Sequence, residues 1–245
     1  MKNSLMLAMA FMLIASGASA AVLASDSFSY PDGSLVGNGG WANHSGTLGD
    51  LLVANGQAVV MHGVPSEDAN LAFTPATGTI YFSFEFSVDD LGAPWAGTDS
   101  EYFAHFMPAV GFTYMTRVDI VPPTGGGDFT IGLSTGTSTA EAIWATDLNY
   151  GVVYHMVGSY NQNTNISQVW IDPSGLNPPS ILGFDGTDPG VEMAMFALRQ
   201  SDSTLNETVR VDNLIVADSC EDVFSECPTV SAETPTWSEL KSFYR

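Results

Sequence analysis

Ile80-Tyr81-Phe82-Ser83-Phe84-Glu85-Phe86-Ser87-Val88 carries an apolar residue at every second position, with Ser83, Glu85 and Ser87 between. A period of two is the mark of a half-buried β-strand, one face on a core and the other in water. Similar alternation recurs at Phe112, Tyr114, Thr116, Val118 and Ile120, at Phe129, Ile131 and Leu133, and at Val152, Tyr154 and Met156. Val169 to Ile171, Met193 to Leu198 and Val209 to Val216 complete the set. Turn chemistry separates these runs, as in Pro31-Asp32-Gly33, Gly125-Gly126-Gly127, Asp172-Pro173-Ser174-Gly175 and Asp185-Gly186. Many strands, short turns and no interposed helical pattern predict an all-β fold of two packed antiparallel sheets.

At the N-terminus, Lys2, the apolar run Leu5 to Ile14 and Ala18-Ser19-Ala20 have the order of a secretory signal peptide with its cleavage site. The sequence thus predicts a signal over 1–20, export to the extracellular space or cell surface, and a mature chain from Ala21. No later run is long and apolar enough for a membrane-spanning helix. Residues 21–227 suffice for one large sandwich domain. The chain has 27 acidic and 6 basic residues, a formal charge of -21, so nucleic acid and anionic membranes are poor partners. Charged residues are only 13% of the chain, which leaves Ser, Thr, Asn and Gly to cover the surface. That surface suits hydrogen bonding to polar polymers, and equally an inert extracellular shell.

Cys220 and Cys227 stand just beyond the last strand-like run. In an exported chain they are expected to close a small disulfide loop that pins the end of the domain. Residues 228–245 read as a linker and a short amphipathic C-terminal helix, with Thr236 and Glu239 at capping-box spacing and Trp237, Leu240 and Tyr244 on one face.

The opening Asp26-Ser27-Phe28-Ser29-Tyr30-Pro31-Asp32-Gly33-Ser34-Leu35, then Gly39-Gly40-Trp41, resembles the first strand and turn of bacterial secreted proteins with a laminin-G-like, concanavalin A-like jelly roll. Ala142 to Leu148, Val169 to Pro173, Ala197 to Gln200 and Val211 to Val216 fit the same resemblance, which covers about residues 24 to 224. It implies a two-sheet antiparallel jelly-roll sandwich whose first and last strands lie side by side, bringing Asp26 near Asp212. It also implies an extracellular glycan-binding module, with Asp212 at the position of a structural calcium ligand and Asp26 as its neighbour. Glucanases of this fold carry Glu-x-Asp-x-x-Glu on one strand. Here Phe84-Glu85-Phe86-Ser87-Val88-Asp89 has apolar residues where the partner carboxylates belong.

Gly132-Leu133-Ser134-Thr135-Gly136 matches a nucleophile-elbow pattern, but Thr137-Ser138-Thr139 leads toward more sheet rather than a helix. The histidines His44, His62, His105 and His155 form no metal-spaced pair. Indole and phenol rings supply sugar-stacking faces. Trp95, in the loop Gly92-Ala93-Pro94-Trp95-Ala96-Gly97, is expected at the surface, with Tyr102 and Trp144 behind it, whereas Trp41 and Trp170 are expected to be structural. The reading that follows is a secreted, non-catalytic carbohydrate- or matrix-binding module whose partner is an extracellular polysaccharide or surface protein. A structural matrix component without a glycan ligand is the alternative, and a divergent polysaccharide hydrolase a third.

Overall fold

A computed structural model describes residues 21–98, 101–184, 190–201 and 206–228. Its strands are β1 (Val22–Asp26), β2 (Gly33–Ser34), β3 (Trp41–Gly46), β4 (Leu52–Ala54), β5 (Gln57–Met61), β6 (Glu67–Ala72), β7 (Thr79–Val88) and β8 (Tyr102–Met107). There follow β9 (Met115–Val121), β10 (Thr130–Ser134), β11 (Ala142–Ile143), β12 (Tyr154–Asn161), β13 (Ile166–Ile171), β14 (Ile181–Phe184), β15 (Met195–Arg199) and β16 (Thr208–Ala217). They form a nine-stranded sheet, ordered β14-β13-β12-β7-β16-β5-β4-β2 with β1 also on β16, and a seven-stranded sheet ordered β11-β10-β9-β8-β15-β6-β3. All the named pairings are antiparallel. The fold is the expected two-sheet jelly-roll sandwich.

The opening stretch lies at its centre. β7 pairs with β12 on one side and β16 on the other, and Ile80, Phe82, Phe84, Phe86 and Val88 are all buried. Phe82, Phe84 and Phe86 meet Phe103 and Phe106 of β8 and Phe196 of β15 across the sandwich, with ring centroids 5.2 to 6.3 Å apart. Gly158 of β12 pairs with Phe82, and a Cβ there would lie 2.1 Å from the ring, so the missing side chain makes room for the stack. A second cluster lies outside the main core, where Phe224 packs edge-on against Trp170 at 5.1 Å and beside Tyr81 at 6.5 Å. Phe224 belongs to the loop closed by the Cys220–Cys227 disulfide, which pins the end of the domain onto the nine-stranded sheet.

The terminal strands are neighbours as the resemblance implied: β1 runs along β16 with Asp26 opposite Leu214. Two expected runs differ. Thr116 has a left-handed backbone, φ 52°, and the β8–β9 register shifts beside it, so Met115, Val118 and Ile120 face the core. Phe112, expected on the buried face, is 81% exposed, and Val152 precedes its strand and is 43% exposed. The helical piece among the described residues is a 3-10 turn at Cys220–Asp222. The predicted signal over 1–20, the turn at Asp185-Gly186 and the predicted helix beyond residue 228 lie outside the described residues. No helix of the described residues is long and apolar enough to cross a membrane.

Phe84 has no solvent exposure and touches rings from both sheets. Truncating such a ring leaves a cavity and removes its transfer free energy, so Phe84→Ala is expected to destabilise the fold by about 3–5 kcal/mol. Denaturant unfolding measures this, and an unchanged midpoint would contradict the placement of the strand.

Candidate functional site

The outward face of the seven-stranded sheet gathers most of its chemistry around one ring. In β8, β9, β15 and β6 the core takes Phe103, Ala104, Phe106, Val118, Ile120, Phe196, Leu198, Ala69 and Leu71. Strand alternation, broken in β8 by the register shift between Tyr102 and Ala104, sends Tyr102, His105, Arg117, Asp119, Arg199 and Asp68 the other way. Register brings them together, because Tyr102 pairs with Asp119, and Arg199 with Asp68. The guanidinium of Arg199 lies 4.5 Å from the Tyr102 ring centroid and that of Arg117 lies 4.8 Å from it. Arg117 is also 5.6 Å from the ring of Tyr114. His105 packs against Tyr114 at 4.5 Å and Tyr102 at 5.1 Å, and His44 stands 6.2 Å from His105.

Such stacking is favourable because the ring face is electron-rich and each guanidinium is a weakly hydrated cation. The bulge at Thr116 frees the preceding segment to cross the cluster, so that Tyr114 is half-buried there and Phe112, 6.4 Å from Tyr114, projects into solvent. Burial raises the Tyr102 phenol, an effect the two arginines oppose and Asp68 and Asp119 reinforce. Burial, followed by His44 and the same arginines, holds His105 well below the usual histidine range. His44 is lowered by burial and by Arg199. Both imidazoles are thus neutral at pH 7, and their ring nitrogens have no hydrogen-bond partner among the described residues.

Of the three aromatics named from the sequence, only Tyr102 belongs to this cluster, and it is buried beneath the guanidinium groups rather than exposed as expected. Trp95 is a correction. It is 5% exposed, because its indole folds back over Gly97, where a Cβ would meet the ring at 1.9 Å, and its Nε1 donates to the Ile120 carbonyl at 3.1 Å. It forms one wall of a recess of about 310 Å³ with Leu91, Ala93, Pro94, Ala96, Gly97 and Asn206. Trp144 is corrected likewise: it is buried in the main core, with its backbone N–H donating to the Ile131 carbonyl.

Asp26 and Asp212 occupy adjacent strands, but Asp26 is committed elsewhere. Its carboxylate accepts from the Phe28 N–H at 2.7 Å, the Tyr30 hydroxyl at 3.0 Å and Trp41 Nε1 at 2.6 Å. Donors on both oxygens oppose a cation there, so this residue does not fit a calcium ligand. Asp212 is raised by burial, an effect its hydrogen bond from the Asn213 N–H opposes and Glu85 and Asp26 add to. Among the described residues the one grouping of three metal-ligand side chains is Cys220, Glu221 and Cys227, whose sulfurs are joined to each other. The glycine loop before β10 also has an internal anion: the N–H groups of Thr124, Gly125 and Gly127 donate to the Asp147 carboxylate, and those bonds, Thr124's first, lower it.

No known family and no curated protein matches the sequence. Solved structures match the fold. A sialidase aligns over 83% of this chain at 12% identity with a TM-score of 0.52, and the alignment spans 19% of the sialidase chain. The Lotus tetragonolobus seed lectin aligns over 75% of this chain and 94% of its own, at 13% identity and a TM-score of 0.49. The Emp47p carbohydrate recognition domain aligns over 79% and 93%, at 11% identity and a TM-score of 0.46. By fold the chain is a two-sheet antiparallel jelly-roll sandwich, similar to part of the sialidase.

A second titratable group has the constituents of a catalytic assembly without its geometry. The Ser201 N–H donates to His62 Nδ1 at 2.7 Å, which places the neutral ring's proton on Nε2, 3.6 Å from Glu207 Oε1. The Ser201 hydroxyl pairs instead with the Glu101 carboxylate, so no histidine nitrogen addresses a nucleophile. Ser134 of the glycine-flanked motif is likewise spent, donating to the Thr137 carbonyl at 2.8 Å. Burial raises Glu207 from 4.5 to about 7, and burial lowers His62 from 6.5 to about 3. A carboxyl raised on folding contributes stability that is complete below its unfolded value and is lost as pH rises through its folded value. His62 acts oppositely, and its contribution is lost as pH falls below 6.5 toward 3. Glutamine mimics the protonated acid, so Glu207→Gln should gain about 3 kcal/mol on wild type between pH 4.5 and 8. Urea unfolding across that range tests this, and a difference that stays flat with pH would mean that Glu207 titrates normally.

Proposed function

We propose that this is an exported, non-catalytic carbohydrate-binding module that holds its ligand on the outward face of the seven-stranded sheet. The observation that carries the reading is Tyr102 clamped between Arg117 and Arg199, with Tyr114 and the exposed Phe112 beside it. Sugars are bound by aromatic faces that stack on their C–H surfaces and by fixed polar groups that take their hydroxyls. Here the exposed Phe112 and half-buried Tyr114 offer the rings, and the two guanidinium groups that cover the buried Tyr102 offer the polar contacts. The fold of the lectin neighbours, one of them a carbohydrate recognition domain by name, supports the same class of ligand. No serine or histidine described above stands in nucleophile–base geometry, and this favours binding over chemistry. Asp26, engaged by three donors, favours binding that needs no calcium at that corner.

The test is a polysaccharide array probed with mature protein from Ala21, with calcium and with chelator. Wild type is expected to bind a subset of glycans equally in both conditions. Phe112→Ala removes an exposed ring, so it should weaken binding about five- to tenfold while leaving the melting temperature unchanged. Silence across the array would overturn the reading in favour of a structural matrix protein.

A further inference from the structure

Resting in part on that reading of the site, we infer that residues 108–114 form a strap over the ligand face that acid opens, so that the module lets go of its glycan when its surroundings acidify. The strap joins β8 to β9 and carries Val110 and Phe112, 89% and 81% exposed. None of its residues is charged, and no hydrogen bond joins residues 109–113 to other described residues. Gly111, φ 97°, turns it at the tip, and Thr116, φ 52°, bends the chain where it rejoins the sheet. Tyr114 is what holds it down. That ring packs on His105 at 4.5 Å and stands 6.3 Å from both His44 and Tyr102, and its backbone carbonyl accepts from Arg117 Nε at 3.2 Å.

Beneath the strap, two imidazoles are badly placed to hold a proton. His105 is fully buried and the His44 side chain is 10% exposed, and none of their four ring nitrogens has a hydrogen-bond partner among the described residues. A neutral ring already leaves one N–H unpaired there, and an imidazolium would leave two with its charge out of water. The charged groups around them do little to help. Arg117 of β9 and Arg199 of β15 stack on Tyr102 of β8 and, with His44, repel a charge on His105. Asp68 of β6, 3.9 Å from His44 Nε2, favours a proton there, but burial and then Arg199 outweigh it and hold His44 low. Asp119 of β9 lies opposite Tyr102 and favours the charge of Arg117, while Glu101 pairs with Arg199. The Tyr102 and Tyr114 phenols, raised by burial, stay protonated in acid. Once the strap lifts, both imidazoles reach water and take protons near 6.5. A histidine that is neutral when covered and charged when open favours the closed strap above that pH, and the preference is lost as pH falls below it. Near pH 5 each ring shifts the balance toward the open strap by about thirtyfold.

Fluorine spectra of mature protein labelled with 3-fluorotyrosine, taken between about pH 8 and pH 5, read the strap through the Tyr114 line, which Tyr114→Phe assigns. The line is expected to move toward a solvent-exposed position below pH 6.5, while far-UV circular dichroism shows the sandwich intact. His44→Phe and His105→Phe each put a ring that takes no proton in place of one that does, so each should cut the steepness of opening from about two protons to about one. The double variant should keep the strap shut, and His155→Gln on the other sheet should leave the steepness whole. A Tyr114 line that stays still, that moves only as the sheet signal is lost, or whose steepness neither single variant reduces overturns the inference. The polysaccharide array repeated near pH 7.5 and pH 5 reads the release, with wild type expected to lose its signal about tenfold or more in acid and His105→Phe to lose less. Glycan binding that is undiminished in acid while the strap opens overturns the coupling. Silence at both pH values overturns the glycan-binding reading and the release with it, and the Tyr114 line alone then decides whether the strap opens.

Discussion

The contact on which the rest of this molecule depends is the phenylalanine stripe of β7 against Phe103, Phe106 and Phe196 of the opposite sheet. A sheet that is apolar on one face is stable only when that face is covered, and two such sheets cover each other. β7 occupies the middle of its sheet, so its register sets that of β12 and β16, and through β16 that of β1 and β5. Once those rings are placed, alternation decides the rest. Apart from the register shifts between β8 and β9, alternate residues of β8, β9 and β15 are committed to the core, and the residues between are turned outward whatever their chemistry.

That compulsion gives the outward face its character. Tyr102, Arg117 and Arg199 come from three strands, and nothing local makes them neighbours. They meet because β8 lies between β9 and β15. The bulge at Thr116 adds what regular alternation could not, releasing the segment before it to bring Tyr114 over the cluster and Phe112 into water. Bulges commonly re-aim side chains beside functional sites. The opposite outward face has a different use, for the disulfide loop brings Phe224 down on Trp170 and Tyr81 and closes it.

The aromatics show where local reading stops. Trp41 and Trp170 were expected to be structural, and both are buried. Trp95 was expected at the surface because its loop is built of small residues, but those residues act the other way. Gly97 offers no side chain, so the indole has a surface to fold onto and a carbonyl of β9 to reach. His105 is buried on its strand, yet its ring nitrogens have no hydrogen-bond partner among the described residues and its ring is the floor beneath Tyr102 and Tyr114. Its period on β8 places it outward, opposite Ala197, and that was the available signal.

From sequence alone came the strand content, the disulfide between Cys220 and Cys227 and the strongly acidic balance. These follow from period, spacing and composition, which are properties of neighbours along the chain. Tertiary structure alone decided which polar residues share a face, that Arg117 and Arg199 meet over one tyrosine ring, and that Asp26 is taken up by Tyr30 and Trp41. Each of these depends on the order and register of strands far apart in sequence. Register is set by how the two apolar faces fit together in space, so no window along the chain contains it.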